Sequence, residues 1–144
     1  MKISYVFGIL VIIGSLVYTF WTNGNRFVQV DASDENLSIA IAKVTSPEKF
    51  SPNAIVGKLA YDTKCVTCHG TNAEGKDGLA PPLVHKIYEP SHHGDESFQR
   101  AVSLGVKAHH WRFGNMPPVE GLTRGDVKMI IAYIRELQRA NGIN

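Results

Sequence analysis

The sequence predicts an all-α chain, and three observations carry that prediction. Apolar residues recur at helical spacing in three separate segments, which begin near residues 52, 94 and 124. No run of alternating apolar residues surrounds the only two cysteines, as a half-buried strand would require. Ahead of these segments, residues 3–21 form a run of 19 without a charged side chain. At 144 residues, the chain has room for one domain of ordinary size or a smaller one with an extension.

As a helix, residues 3–21 would span about 28 Å, enough to cross the hydrocarbon layer of a bilayer. Tyr5, Tyr18 and Trp21 fall near its two ends, where amphipathic rings favour the lipid interface. A cleaved secretory signal has a shorter apolar centre and ends in a small-x-small site, but this run ends Thr19-Phe20-Trp21-Thr22-Asn23-Gly24. An uncleaved anchor over residues 1–21 is therefore expected. Lys2 argues for a cytoplasmic N-terminus and an exported C-terminal part, with Arg26 beyond the span keeping the charge asymmetry modest. Residues 22–51 turn polar and lack a sustained period, so they read as a tether in which Leu37-Ser38-Ile39-Ala40-Ile41 is a local apolar contact.

Ser51-Pro52 has the form of a helix start, with serine as N-cap and proline at the first helical position. The helix is predicted over residues 52–64, and Gly57, Tyr61 and Cys65 recur every four residues along one face. Glycines with Asn72 and Asp77 make residues 70–78 a loop. In Leu79-Ala80-Pro81-Pro82-Leu83 the prolines fix an extended backbone and leave carbonyl oxygens free to accept, although a stiff surface loop has the same composition. Gly94-Asp95 opens a helix through Leu104, with Phe98, Ala101 and Val102 on one face and Gly105 at its end. His85, His92 and His93 precede it and read as solvated loop histidines. Thr123-x-x-Asp126 resembles a capping box, Val127, Ile130, Ile131, Ile134 and Leu137 follow at core spacing, and Asn141-Gly142 supplies the stop. Tyr133 is placed to pack across Gly57 and Tyr61.

The chemistry lies in Cys65-Val66-Thr67-Cys68-His69. On one helical turn, two thiols and an imidazole three and four residues apart share a face. Covalent haem attachment needs that geometry: the thiols add across two vinyl groups and His69 binds the iron as proximal ligand. A thioredoxin-like redox pair would also use Cys-x-x-Cys but would want a sheet, and a zinc site would need a fourth ligand. The Pro81 carbonyl is the expected acceptor for Nδ1-H of His69, which would fix its tautomer and raise its donor strength. Met116 lies 47 residues beyond His69 in Gly114-Asn115-Met116-Pro117-Pro118, where a rigid loop can present a thioether to the opposite face of the iron. Met129 is ordinary helix filling.

The formal net charge is +2, and from Asn53 onward 11 Lys/Arg stand against 9 Asp/Glu. No basic face of nucleic-acid strength is implied, so no nucleic-acid partner is expected.

Four segments together resemble class I c-type cytochromes: Cys65-Val66-Thr67-Cys68-His69-Gly70, Ala80-Pro81-Pro82-Leu83, Gly114-Asn115-Met116-Pro117-Pro118 and Ile130-Ile131-Ala132-Tyr133-Ile134. The resemblance covers about residues 52–143 and makes residues 52–144 the cytochrome c domain. It implies crossed N- and C-terminal helices around one covalent haem c, with His69 and Met116 as axial ligands and a proline carbonyl such as Pro81 orienting the histidine. It also makes Trp111 and Arg112 candidates for holding the propionates. His109 and His110 are not required by the family and are free to compete for the iron or bind another metal.

These features describe a membrane-tethered, monohaem electron carrier rather than an enzyme. The expected location is a bacterial inner membrane, single-pass, with the haem domain in the periplasm. The expected redox partners are a quinol-oxidising complex and a terminal oxidase or reductase. The competing readings are a gas or peroxide sensor or enzyme with a displaceable sixth site, and a metal-handling accessory protein that uses the loop histidines.

Overall fold

The computed structural model of the protein describes residues 39–144. The anchor expected over residues 1–21 and most of the polar tether lie outside the described residues. Among the described residues no helix is long and apolar enough to cross a membrane.

Four helices build the domain: α1 (Pro52–Lys64), α2 (Val66–His69), α3 (Asp95–Leu104) and α4 (Arg124–Ala140), with a 3-10 turn at Lys86–Tyr88. Among the described residues no strand forms, and β-type pairing is limited to isolated bridges, including Ala40 with Lys76 and Val106 with Met116. Local chemistry sets each helix start. The Ser51 hydroxyl accepts from Ala54 N–H at 3.3 Å at the head of α1, meeting one of the donors a helix start leaves unpaired. At the head of α4, Thr123 and Asp126 form a reciprocal capping box. His85, expected to be a solvated loop residue, caps the 3-10 turn by accepting from Ile87 N–H at 3.2 Å.

The core forms where α1 lies on α4. Gly57 permits the approach: a Cβ there would sit 1.8 Å from the Met129 carbonyl oxygen. Around this contact Ala54, Tyr61, Ile130, Tyr133, Ile134 and Leu137 are buried. The Tyr133 ring lies 5.3 Å from those of Tyr61 and Phe50, a separation suited to tilted aromatic packing. Both buried hydroxyls find acceptors in the turn after His69, Tyr61 donating to Gly70 O at 2.8 Å and Tyr133 to Thr71 O at 3.1 Å. The helix pair is thereby tied to the end of the cysteine-histidine segment.

Helix α3 buries only Gln99, whose amide donates to Arg124 O at 3.0 Å. The 83–95 stretch is held instead from α4. Arg135 donates to Tyr88 O (2.7 Å), His93 O (2.6 Å), Gln138 Oε1 (2.7 Å) and Asp95 Oδ1 (3.0 Å). Gln138 in turn donates to Leu83 O and Tyr88 O.

Residues 39–51, assigned from their polarity to the tether, lie on the domain. Asp77 N–H donates to Ile39 O and Ala42 N–H to Glu74 O, each at 3.0 Å. The Asn141 side chain bonds both backbone groups of Thr45, and Val44 and Phe50 pack on the core. Backbone groups make most of this attachment, so side-chain polarity gave no sign of it.

Candidate functional site

The site begins where α1 ends. Cys65 closes α1, its N–H donating to Tyr61 O at 2.8 Å, and α2 starts at the next residue. His69 N–H donates to Cys65 O at 2.9 Å, so the first thiol and the imidazole stand one helical turn apart. Cys65 is half-buried, Cys68 is exposed, and no disulfide joins them.

His69 is buried, with Nδ1 2.9 Å from Pro81 O. A carbonyl can only accept, so Nδ1 carries the proton and Nε2 keeps its lone pair for a metal. Burial lowers the His69 pKa, against the opposing pull of the Pro81 bond, and keeps the ring neutral. The loop that brings Pro81 back is fastened to the motif: Gly75 N–H donates to His69 O at 2.8 Å, Leu83 N–H to Ala73 O at 2.8 Å, and Lys76 Nζ to Thr67 O at 2.7 Å.

Met116 is half-buried and its backbone is clamped, its N–H and carbonyl exchanging two 2.9 Å bonds with Val106. Gly105 makes room for this loop: at φ +75° it adopts a conformation L side chains rarely take, and a Cβ would meet Met116 O at 2.5 Å. Asn115 Oδ1 accepts from Ala108 N–H at 2.9 Å, closing the stretch ahead of the methionine.

Trp111 lies between His85, its ring centroid 5.2 Å away, and Phe113, stacked at 5.7 Å. Its indole Nε1 is buried beside the Tyr88 hydroxyl but makes no well-formed hydrogen bond. An indole N–H is a donor only, and burying one unpaired is costly. A carboxylate such as a propionate would satisfy it. Arg112 is exposed.

His109 and His110 are grouped with His92 and His93, with ring centroids of 4.2 Å for His109–His110 and 5.2 Å for His93–His110. Desolvation in the group, then repulsion from His109, His93 and His92, holds His110 below the ordinary histidine value. Sequence spacing gave no sign of this grouping, because the two pairs are 16 to 18 residues apart and meet only through the fold.

The chemistry of the donor set separates the readings of the cysteine pair. Burial, reinforced by Cys68, pushes the Cys65 thiol up to about 11, whereas a catalytic redox thiol is lowered. Among the described residues, the group of three ligating side chains is His92, His93 and His110 and contains neither cysteine, so a zinc site at the motif lacks ligands. Two thiols beside a neutral imidazole of fixed tautomer, with an unpaired buried donor in the same domain, fit covalent haem.

An all-helical domain with this set belongs to the class that binds haem through thioether links. The family model for cytochrome c matches residues 54–138, and the chain belongs to that family. No curated protein and no solved structure matches it. The protein accordingly carries covalent haem c at the Cys65-x-x-Cys68-His69 motif, and its chemistry is haem-based electron transfer.

Proposed function

We propose that the chain is a membrane-tethered, monohaem carrier that passes single electrons between respiratory complexes on the periplasmic face of a bacterial inner membrane, and that it is not an enzyme. The observation that carries the electron-carrier part is the 2.9 Å contact between His69 Nδ1 and Pro81 O, which aims a neutral imidazole from a buried position. Haem bound here supplies a centre that gains and loses one electron.

In this reading Cys65 and Cys68 would form the thioether links, and His69 and Met116 would hold the iron. The Pro81 carbonyl keeps His69 from rotating, and the clamped backbone of Met116 keeps its sulfur from drifting, so little moves between oxidation states. A thioether ligand raises the potential relative to a second nitrogen. With His69 and Met116 both holding the iron, no position would remain for a substrate. Trp111 would donate its indole N–H to a propionate, and Arg112 would add positive charge there. The tether raises the effective concentration of the domain near a quinol-oxidising complex and a terminal oxidase or reductase.

The test is a spectrum of membranes containing the expressed protein, with haem staining after denaturation. The expected result is pigment retained through a denaturing gel in the membrane fraction. The oxidised protein should show a weak near-red sulfur-to-iron band that Met116→Ala abolishes. Rapid carbon monoxide binding by the untreated reduced protein would overturn the assignment of Met116 and favour an open-site sensor or enzyme.

A further inference from the structure

We propose that His92, His93 and His110 form a binding site for one divalent first-row transition-metal ion, separate from the haem iron. One ligating nitrogen from each residue lies within 4.8 Å of the others. Two come from the turn before α3 and one from the loop leading to Met116, so the site is assembled by the fold.

The turn is fixed before any metal arrives. His92 and His93 N–H groups both donate to Glu89 O, at 3.0 and 2.8 Å, and Arg135 holds His93 O at 2.6 Å. His93 Nδ1 lies 2.6 Å from Ile87 O. That carbonyl accepts, so the ring proton is on Nδ1 and Nε2 is left with its lone pair. A second-sphere carbonyl of this kind orients a metal-binding histidine in the same way. The ring centroids of His92 and His93 are 4.7 Å apart, and those of His92 and His110 are 5.5 Å apart.

The ion class follows from the donors. Tetrahedral zinc with Zn–N bonds near 2.0–2.1 Å places ligand nitrogens about 3.3 Å from one another. Side-chain rotation of the exposed His92 and His110 can close a remaining gap of about 1.5 Å, since histidine χ2 is broad within each staggered χ1 well. Three imidazoles without a thiolate or carboxylate select zinc, nickel or copper over magnesium or calcium, and copper(II) binds such a set most tightly. The exposed His109 lies alongside, its ring centroid 4.2 Å from that of His110. Occupancy would pin the loop that runs on to Met116 against the turn before α3.

The test uses the full haem-loaded chain in detergent, freed of metals with a chelator and titrated with Zn2+ alone by calorimetry. One ion per chain is expected, with affinity at least tenfold weaker in His93→Gln and in His110→Gln and unchanged in the exposed Arg100→Gln. The haem spectrum of each variant checks that it is folded. Should His93→Gln fail that check, His92→Gln removes an exposed ligand in its place. In a parallel sample, the Cu2+ electron paramagnetic resonance signal should show nitrogen superhyperfine coupling that the same variants diminish. Absence of saturable zinc binding, or binding indifferent to all three ligand substitutions, would overturn the proposal. The haem band assigned to Met116 is read in the same samples, so loss of zinc binding and loss of axial ligation are told apart.

Discussion

Arg135 shows how a single polar residue can hold a segment that has little core of its own. It is 7 % exposed, and its guanidinium spans two main-chain carbonyls, the Gln138 amide oxygen and Asp95. Asp95 is 69 % exposed on its side chain, so the ion pair itself contributes little. The carbonyls matter more, because a buried acceptor left without a donor bears its full desolvation penalty. Arg135→Met is therefore expected to destabilise the protein by about 3 kcal/mol, seen as a lower denaturation midpoint at unchanged slope. A change within a few tenths of a kcal/mol would mean that water replaces the arginine at those carbonyls. Nothing in the sequence marked this residue. The apolar stripe Val127, Ile130, Ile131, Ile134 and Leu137 was plain, and Arg135 and Gln138 fall beside it, where polar residues normally face solvent. Their partners are carbonyls 42 to 55 residues away. Local pattern cannot report such a distance. Pro81 was legible for the opposite reason: a proline pair states in sequence that it has carbonyls to offer and no N–H to place.

The helices repay a reading by capping and period, because both signals are local. Ser51-Pro52 and Thr123-x-x-Asp126 open α1 and α4 as expected, and Gly105 closes α3. The isolated bridges and the 3-10 turn were not legible, since each depends on what the fold brings alongside. Two predictions belong at this scale. Gly57→Ala would drive a methyl group into the Met129 carbonyl, rigid backbone that cannot rotate aside. Prying the helices apart should cost about 3 kcal/mol or more, above the usual range for overpacking, and should appear in thermal unfolding of the haem-loaded protein. Thr123→Ala removes the hydroxyl that accepts from Asp126 N–H and should cost about 1 kcal/mol. The cap is also pH-dependent. Bonds from the Thr123 side chain and backbone hold the Asp126 carboxyl below its ordinary 3.8. A group whose folded value is lowered contributes its full stability above the unfolded value and loses it as pH falls through the folded one. Unfolding titrations should therefore show the penalty of Asp126→Ala at neutral pH shrinking below about pH 4.

At the scale of the whole molecule the protein-only core is small. It consists of Ala54, Tyr61, Ala73, Val84, Ile130, Tyr133, Ile134 and Leu137, with other apolar side chains packed against it only partly covered. The burial is also uneven. Helix α4 buries eight residues, while α3 buries only Gln99 and leaves Leu104 74 % exposed. The α1–α4 pair has its own packing, whereas residues 79–118 contribute Val84 to the buried core, with Leu83 and Phe98 against it, and are otherwise held by polar contacts and by Pro81 on His69. A porphyrin changes this balance because its ring can be buried, and its iron held by side chains, only in the folded chain. The covalent links keep it beside those partners whether or not the chain is folded. Replacing both thiols in Cys65→Ser/Cys68→Ser, with His69 intact, should give a chain that loses cooperative thermal unfolding and at least about half of its far-UV helical signal. The residual helix should come from α1 and α4, whose contact needs no cofactor. The expected pattern in hydrogen exchange follows from the same reasoning: amides of α4 keep some protection, and those of α3 and of Val106 and Met116 exchange at rates near an unfolded chain. Cooperative unfolding of the double variant near the midpoint of the haem-loaded protein would show that the polar contacts from Arg135 and Gln138 suffice, and that haem serves electron transfer without being needed to complete the fold.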